Sequence, residues 1–171
     1  MKGSDRMKKK TKWILTSIFI VLLILFGIQR YYVYTMEDYW NEKDAAVIVA
    51  KQQANLASLT HASKSVWDTV CWVIEGKNTA GEDTVIWVVD GKVDHQELAK
   101  NGVSLDQIKN SIKSQMPDIS IVRLVPGIFD QGAGKQYVYQ LFYKEGDHYN
   151  YKFYRFSDGQ ALPDTYTLPN R

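Results

Sequence analysis

The uncharged run WILTSIFIVLLILFGI, from Trp13 to Ile28, constrains this chain more than any other feature. A bilayer core of ~30 Å takes roughly 20 helical residues, and the run reaches that length if its Tyr-rich flank lies at the interface. A cleavable signal peptide would end in a small-x-small site, whereas this run continues as FGIQRY. The sequence therefore predicts a retained transmembrane anchor over residues 13–34.

Charge is unevenly placed on the two sides of the anchor. Lysines and one arginine crowd the residues in front of it, whereas Glu37 and Asp38 follow it closely. The positive-inside rule therefore predicts a basic cytoplasmic tail over residues 1–12, with Met7 as an alternative start, and an extracytoplasmic remainder. A net charge of +2 favours no charged partner, and an exterior domain argues against nucleic acid.

The chain after the anchor predicts a first lobe over residues 35–95. A helix capped by Thr35 is followed by a hairpin with the strands SVWDTVCWVIEG and DTVIWVVDG, since apolar residues alternate along both runs. The helix carries a stripe of small apolar side chains suited to close packing on a sheet: Ala46, Val47, Ala50, Ala54 and Ala57.

The same plan repeats as a second lobe over residues 96–171. Ser104 and Gln107 have the spacing of a capping box, and Pro117 ends the predicted helix. Three predicted strands follow: DISIVRLVPGIF, KQYVYQLFYKE and HYNYKFYRF. We therefore predict an α+β fold, in which a transmembrane helix precedes two tandem lobes that share an interface. Each lobe is a helix packed on an antiparallel sheet.

The final hairpin has two aromatic-rich faces. With Gly146 and Asp147 as a two-residue turn, one face pairs Phe142 with Tyr151, Gln140 with Phe153 and Val138 with Arg155. The other pairs Tyr143 with Asn150, Leu141 with Lys152, Tyr139 with Tyr154 and Tyr137 with Phe156. One face packs beneath the helix, and the other meets either the first lobe or a partner, with equal weight. The candidate partner-binding residues are Tyr137, Tyr139, Tyr143, Tyr154 and Phe156.

The sequence shows no pattern typical of a catalytic, metal or cofactor site. The three histidines lack a second ligand at metal spacing, and Cys71 lies in an apolar run where a buried thiol is expected. The segment QGAGKQ, at residues 131–136, lacks the Ser or Thr of a phosphate loop and is expected to link two strands. We therefore predict a protein that is not an enzyme and uses no metal or cofactor.

Several motifs resemble the TseB (YpmB) family of cell wall elongation regulators from Gram-positive bacteria. They are CWVIEGKNTAGEDTVIWVV, NGVSLDQIKNSI, IVRLVPGI, YVYQLFYKEG and FYRFSDGQ. The chain departs from the family in its longer basic leader and in the loop of residues 129–135.

The resemblance implies tandem PepSY-like lobes of cystatin-like fold and no catalytic residues. It also implies a membrane-anchored, extracytoplasmic regulator that binds a class B penicillin-binding transpeptidase. Two alternatives remain open: a PepSY-type inhibitor or escort of an extracellular protease, and a module that binds peptidoglycan through its aromatic residues.

Overall fold

The computed structural model describes the backbone of residues 3–131 and 134–169 and the side chains of residues 12–131 and 134–169. The chain divides into two compact units, Met1–Glu42 and Lys43–Arg171. Both predicted sheets lie in the second unit. The side chains of most of the basic tail lie outside the described residues, as do residues 132 and 133 of the predicted linker.

The first helix, α1 (Gly3–Gln53), is continuous. The prediction that Thr35 begins a new helix is wrong, because its hydroxyl donates to the carbonyls of Tyr31 and Tyr32 at 3.1 and 3.0 Å within the helix. The portion of α1 from Lys12 to Gln53 is long and apolar enough to cross a membrane. The helix ends before Asn55, whose φ of 53° is the left-handed conformation that asparagine tolerates at helix ends.

The first lobe has a four-stranded antiparallel sheet in the order β1-β2-β3-β4. The predicted hairpin corresponds to the two central strands, and the edge strands were not predicted. The last strand crosses the predicted boundary between residues 95 and 96, so the first sheet ends at Leu98. The strands are β1 (Leu56–Val66), β2 (Val70–Asn78), β3 (Asp83–Val89) and β4 (Lys92–Leu98).

One face of the first sheet packs on the end of α1. The small side chains predicted to form the helix stripe are buried there, apart from Ala57, which is exposed in β1. They meet large side chains from the two central strands because residues of small volume let the helix approach the sheet closely. This cluster comprises Ala46, Val47, Ala50, Ala54, Leu56, Trp72, Ile74, Ile86 and Val88.

The second lobe has helix α2 (Leu105–Gln115) and a sheet in the order β5-β6-β7-β8. The predicted capping box is present: Ser104 Oγ accepts from the Gln107 amide at 3.3 Å, and Gln107 Oε1 accepts from the Ser104 amide at 2.9 Å. The first three strands were predicted, and the fourth was not. The strands are β5 (Ser120–Asp130), β6 (Lys135–Glu145), β7 (His148–Arg155) and β8 (Ala161–Thr167).

Both lobes contribute to a hydrophobic cluster that is here called the interlobe core. The second face of the first sheet, α2 and one face of the second sheet all contribute to it. Because each strand alternates between faces, the side chains that do not meet α1 point into this cluster. The interlobe core comprises Cys71, Val73, Val85, Trp87, Ile108, Ile112, Ile128, Tyr139, Leu141, Tyr143, Tyr154 and Phe156. The predicted interface between the lobes is therefore a continuous core.

Candidate functional site

The structure places the predicted partner-binding residues at the interlobe core. Tyr139, Tyr143, Tyr154 and Phe156 are buried, and Tyr137 packs against the cluster while half-buried. Of the two possibilities that the sequence left open for this face, the structure shows contact with the first lobe, because the same face packs beneath α2 and against the first sheet. Interlobe packing, which the sequence left open as an alternative, explains their clustering.

Hydrogen bonds fix two of these tyrosines to neighbouring segments. The Tyr139 hydroxyl donates to the carbonyl of Val103 at 2.7 Å, just before α2. The Tyr137 hydroxyl donates to Asp94 Oδ2 in β4 at 2.9 Å, and so joins the second lobe to the first. Burial raises the pKa of both phenols, with the Asp94 carboxylate adding to the effect at Tyr137. Both tyrosines are therefore neutral hydrogen-bond donors in the folded protein.

A small groove runs along the outer rim of the interlobe core. The imidazole of His95 stacks on the Tyr137 ring with 4.0 Å between centroids and 13° between planes. Lys135 donates to Asp94 Oδ1 at 2.6 Å beside this stack. Desolvation raises the pKa of the Asp94 carboxyl, but the hydrogen bonds from Lys135 and Tyr137 outweigh it and hold this pKa below its ordinary value. The groove has a volume of about 210 Å³ and is also lined by Glu97, Asn101, Gln136, Arg155, Phe156 and Ser157.

The opposite face of the second sheet carries partly exposed aromatic rings and is here called the aromatic face. Phe142 lies at its centre, stacked on Tyr149 at 5.4 Å and 24° and on Tyr151 at 4.6 Å and 22°. Lys144 lies over the Tyr149 ring at 5.8 Å. Tyr149 is 41% exposed. This arrangement offers flat apolar surfaces with a cation at the margin, which suits a protein side chain or a sugar ring.

Trp67, which the sequence analysis did not single out, completes the aromatic face. Its ring lies 4.8 Å from Tyr151 and 5.1 Å from Tyr166, although the residue comes from the first lobe. Asp68, the residue after Trp67, holds the loop between β1 and β2 in place, because its Oδ2 accepts from the amide of Asp130 at 3.1 Å. The dipeptide Trp-Asp just before the apolar strand β2 was the available signal, but it was read as part of a strand.

The described residues offer no arrangement typical of a metal site. Within residues 12–131 and 134–169, no group of three or more His, Cys, Asp and Glu side chains is placed to hold a metal ion. Cys71 is buried, as predicted, and burial raises the pKa of its thiol to about 12. A thiol that stays protonated at neutral pH is a poor nucleophile.

Comparisons with known proteins agree with this architecture. Residues 45–89, from the end of α1 through β3, match a family described as cell wall elongation regulator TseB-like domain. No curated protein sequence matches the chain. The solved YpmB protein from Bacillus subtilis has a TM-score of 0.58 and 21% identity, covering 73% of this chain and 96% of that chain. The Bacillus megaterium YpeB C-terminal domain has a TM-score of 0.37 and 13% identity, covering 76% of this chain and 65% of that chain.

The matched segment contains the packing of α1 on the first sheet and one side of the interlobe core. The similarity to the YpmB protein extends the agreement in fold to both sheets. With the TseB-like domain in residues 45–89 and a fold similar to that of YpmB, the predicted resemblance of this chain to the TseB (YpmB) family is confirmed.

Proposed function

We propose that the chain is a membrane-anchored, extracytoplasmic, non-enzymatic regulator of cell wall elongation that binds a class B penicillin-binding transpeptidase. The observation that carries this proposal is the TseB-like segment at residues 45–89, which begins in the last turns of a helix long and apolar enough to cross a membrane. The basic tail before that helix supports a cytoplasmic amino terminus.

The anchor supplies the physical reason why a modest interface is sufficient. A regulator and a transpeptidase held in one membrane meet at a high effective concentration, so weak contacts are occupied most of the time. The lobes then need only present a specific surface. In this proposal the anchor contributes confinement to the membrane.

We place the partner contact on the aromatic face rather than on the buried tyrosines. Large, partly exposed rings are the side chains that most often dominate protein interfaces. Phe142, Tyr149 and Tyr151 are held in position by stacking on each other, so binding orders few additional rotamers.

Crosslinking in intact cells tests this proposal directly. The full-length protein with a photoreactive residue at Tyr149 is expected to capture a penicillin-binding transpeptidase. The same residue at Lys51, which is exposed in α1, serves as the matched control. Recovery of no wall-synthesis enzyme from either position contradicts the proposed function, and equal recovery from both contradicts the placement on the aromatic face.

Peptidoglycan binding is a second candidate function, favoured by the near-parallel stack of Tyr149, Phe142 and Tyr151. Sedimentation of the full-length protein in detergent with isolated peptidoglycan separates the two functions. A glycan-binding module pellets with the wall and loses this property on Tyr149→Ala, whereas a regulator that binds only protein stays in solution.

A further inference from the structure

A second groove, here called the basic groove, lies between α2 and the beginning of β5. It has a volume of about 440 Å³, within the range of ~300–1,000 Å³ found for ligand sites. Its apolar lining comes from Leu105 on the helix and from Ile119, Ile121, Val122 and Leu124 on or beside the strand. Leu105 is 40% exposed and Val122 is 53% exposed. These two side chains leave apolar surface open to solvent outside the interlobe core.

The charged side chains of the basic groove all have one sign. Lys109, Lys113 and Arg123 line it, and the lining contains no Asp or Glu. All three are exposed, and none forms an ion pair with a carboxylate in the part of the chain that the structure describes. Three cations beside an apolar floor, with no internal counter-charge, form a surface that an anionic ligand would complement.

The helix presents its contribution as one stripe. Leu105, Lys109 and Lys113 are spaced by four residues, so they follow each other on one side of α2 with roughly 6 Å between neighbours. Ile108 and Ile112 occupy the buried side of the same helix. The stripe is therefore free of any packing role beneath the helix.

A bulge in β5 shapes the opposite wall. Ile121 pairs with Tyr143 and Arg123 pairs with Phe142, so Val122 is an extra residue in the ladder. This insertion puts Ile121 and Leu124 on the same face of the strand, where both pack against the interlobe core. It also leaves Val122 and Arg123 exposed at the groove. Bulges at sheet edges commonly redirect side chains in this way.

We propose that the basic groove binds an acidic, amphipathic peptide segment of a partner protein, in which carboxylates alternate with apolar side chains. The carboxylates meet Lys109, Lys113 and Arg123, and the apolar side chains cover Leu105 and Val122. This inference adds a second contact to the one on the aromatic face, and it rests on the proposed function for the source of the segment, the wall-synthesis enzyme.

The apolar floor selects a peptide over a phosphate-rich polymer. A polyanion such as polyglycerol phosphate satisfies the three cations but leaves Leu105 and Val122 without apolar contact. An acidic amphipathic segment satisfies both sets at once. Its affinity is expected to fall with salt, because the three cations are exposed and their interactions are screened.

The binding test uses the full-length protein in detergent micelles and a fluorescent synthetic peptide in which Glu and Leu alternate. Fluorescence anisotropy is expected to show binding that weakens about tenfold or more in K109E/K113E. The matched control K51E/K92E changes net charge equally at two exposed lysines outside the groove, and its affinity is expected to stay within about twofold of that of the original protein. Val122→Ser is expected to weaken binding of this peptide without changing net charge.

Two safeguards keep the result interpretable. K109Q/K113Q removes charge without placing acids near the end of α2, and thermal unfolding shows whether each variant is folded. Equal affinity of K109E/K113E and K51E/K92E overturns the proposal. So does undiminished binding of a peptide with Gln in place of Glu, or tighter binding of polyglycerol phosphate than of the peptide.

The binding test and the crosslinking test fail separately. If the peptide does not bind at the groove but a transpeptidase is still captured in cells, the groove is rejected as a peptide site and the proposed function stands. Peptide binding with no wall-synthesis enzyme captured rejects the proposed function and leaves the groove as a peptide site.

Discussion

Replacing Trp87 by phenylalanine tests whether the two lobes unfold as one body. Trp87 lies in β3 of the first lobe and is fully buried. Its indole nitrogen donates to the carbonyl of Gly127, in β5 of the second lobe, at 3.1 Å. The centroid of its ring lies 4.9 Å from that of Tyr137 and 5.1 Å from that of Phe156. The side chain therefore belongs to the first lobe by sequence and packs against the second.

The expected loss of stability has two parts. Phenylalanine lacks about three of the heavy atoms of the indole, which at ~0.8 kcal/mol per buried methylene amounts to roughly 2 kcal/mol. The carbonyl of Gly127 also loses its side-chain donor, which costs about 1–3 kcal/mol in a buried setting. The free energy of unfolding should fall by roughly 3–5 kcal/mol. Replacing Trp87 by benzothienylalanine, which keeps the shape of the indole but lacks its N–H, should show only the second part.

Urea unfolding of the full-length protein in micelles, followed by hydrogen exchange of peptides from β2 and β7, measures the loss in each lobe. With a denaturant slope of roughly 2 kcal/mol per molar urea, the midpoint should fall by ~1.5–2.5 M for both peptides. Trp13→Phe, at a residue 69% exposed in the apolar run, should leave it unchanged. An unchanged midpoint for the β7 peptide would refute the shared core, because the second lobe would then be stable without Trp87.

Three further predictions concern titratable groups. Desolvation raises the pKa of Asp94, but hydrogen bonds from Lys135 and Tyr137 hold it below its ordinary value. The contribution of this carboxyl to stability is therefore present above the ordinary pKa of ~3.9 and is lost as pH falls through the folded value. Asp94→Asn should therefore make the melting temperature less dependent on pH over that acidic range. Desolvation raises the pKa of Glu75, with His61 opposing it, so protonation favours the folded state. Stability from this group should increase as pH falls from the raised value toward ~4.3, and Glu75→Gln should raise the melting temperature at neutral pH. The buried Cys71 thiol, with a pKa raised to about 12, should react with an aromatic disulfide only as fast as the domain opens. Reaction at the rate of a free thiol in native buffer would contradict its burial.

Local signals in the sequence were sufficient to predict the final hairpin and the second helix. The turn at Gly146 and Asp147 fixes the pairing, and every predicted pair is observed, including the last, where the Phe156 amide donates to the Tyr137 carbonyl at 2.9 Å. The capping box at Ser104 likewise depends only on neighbours in the sequence. Such features are predictable because the residues that determine them are close together in the chain.

The choice between the two faces of that hairpin was not predictable from the same signals. Both faces carry aromatic rings, and register determines which side chains share a face without saying what covers it. The first lobe determines which face is buried, because Trp87 and Val73 cover the face of Tyr139 and Tyr154. This information comes from residues far away in the sequence.

The strands that sequence analysis missed lie at the edges of their sheets. β1, β4 and β8 are largely polar and mostly exposed or half-buried, so the alternation that marks a half-buried strand is weak. One usable signal was present for β4: Asp90 and Gly91 form a two-residue turn with φ of 48° and 71°, and the Asp-Gly pair is typical of such hairpins.

The polarity of these edge strands has a consequence for copies of the protein that the proposed anchor would bring close together. An unpaired strand edge offers free N–H and C=O groups to a neighbouring chain, and a flat apolar edge would promote aggregation. Here Lys64 lies on β1 and Lys92 on β4, whereas β8 contains Pro163, which has no N–H to donate, followed by Asp164. The bulge at Val122 interrupts the remaining edge, β5. Neighbouring copies can therefore lie close together without their sheets pairing edge to edge.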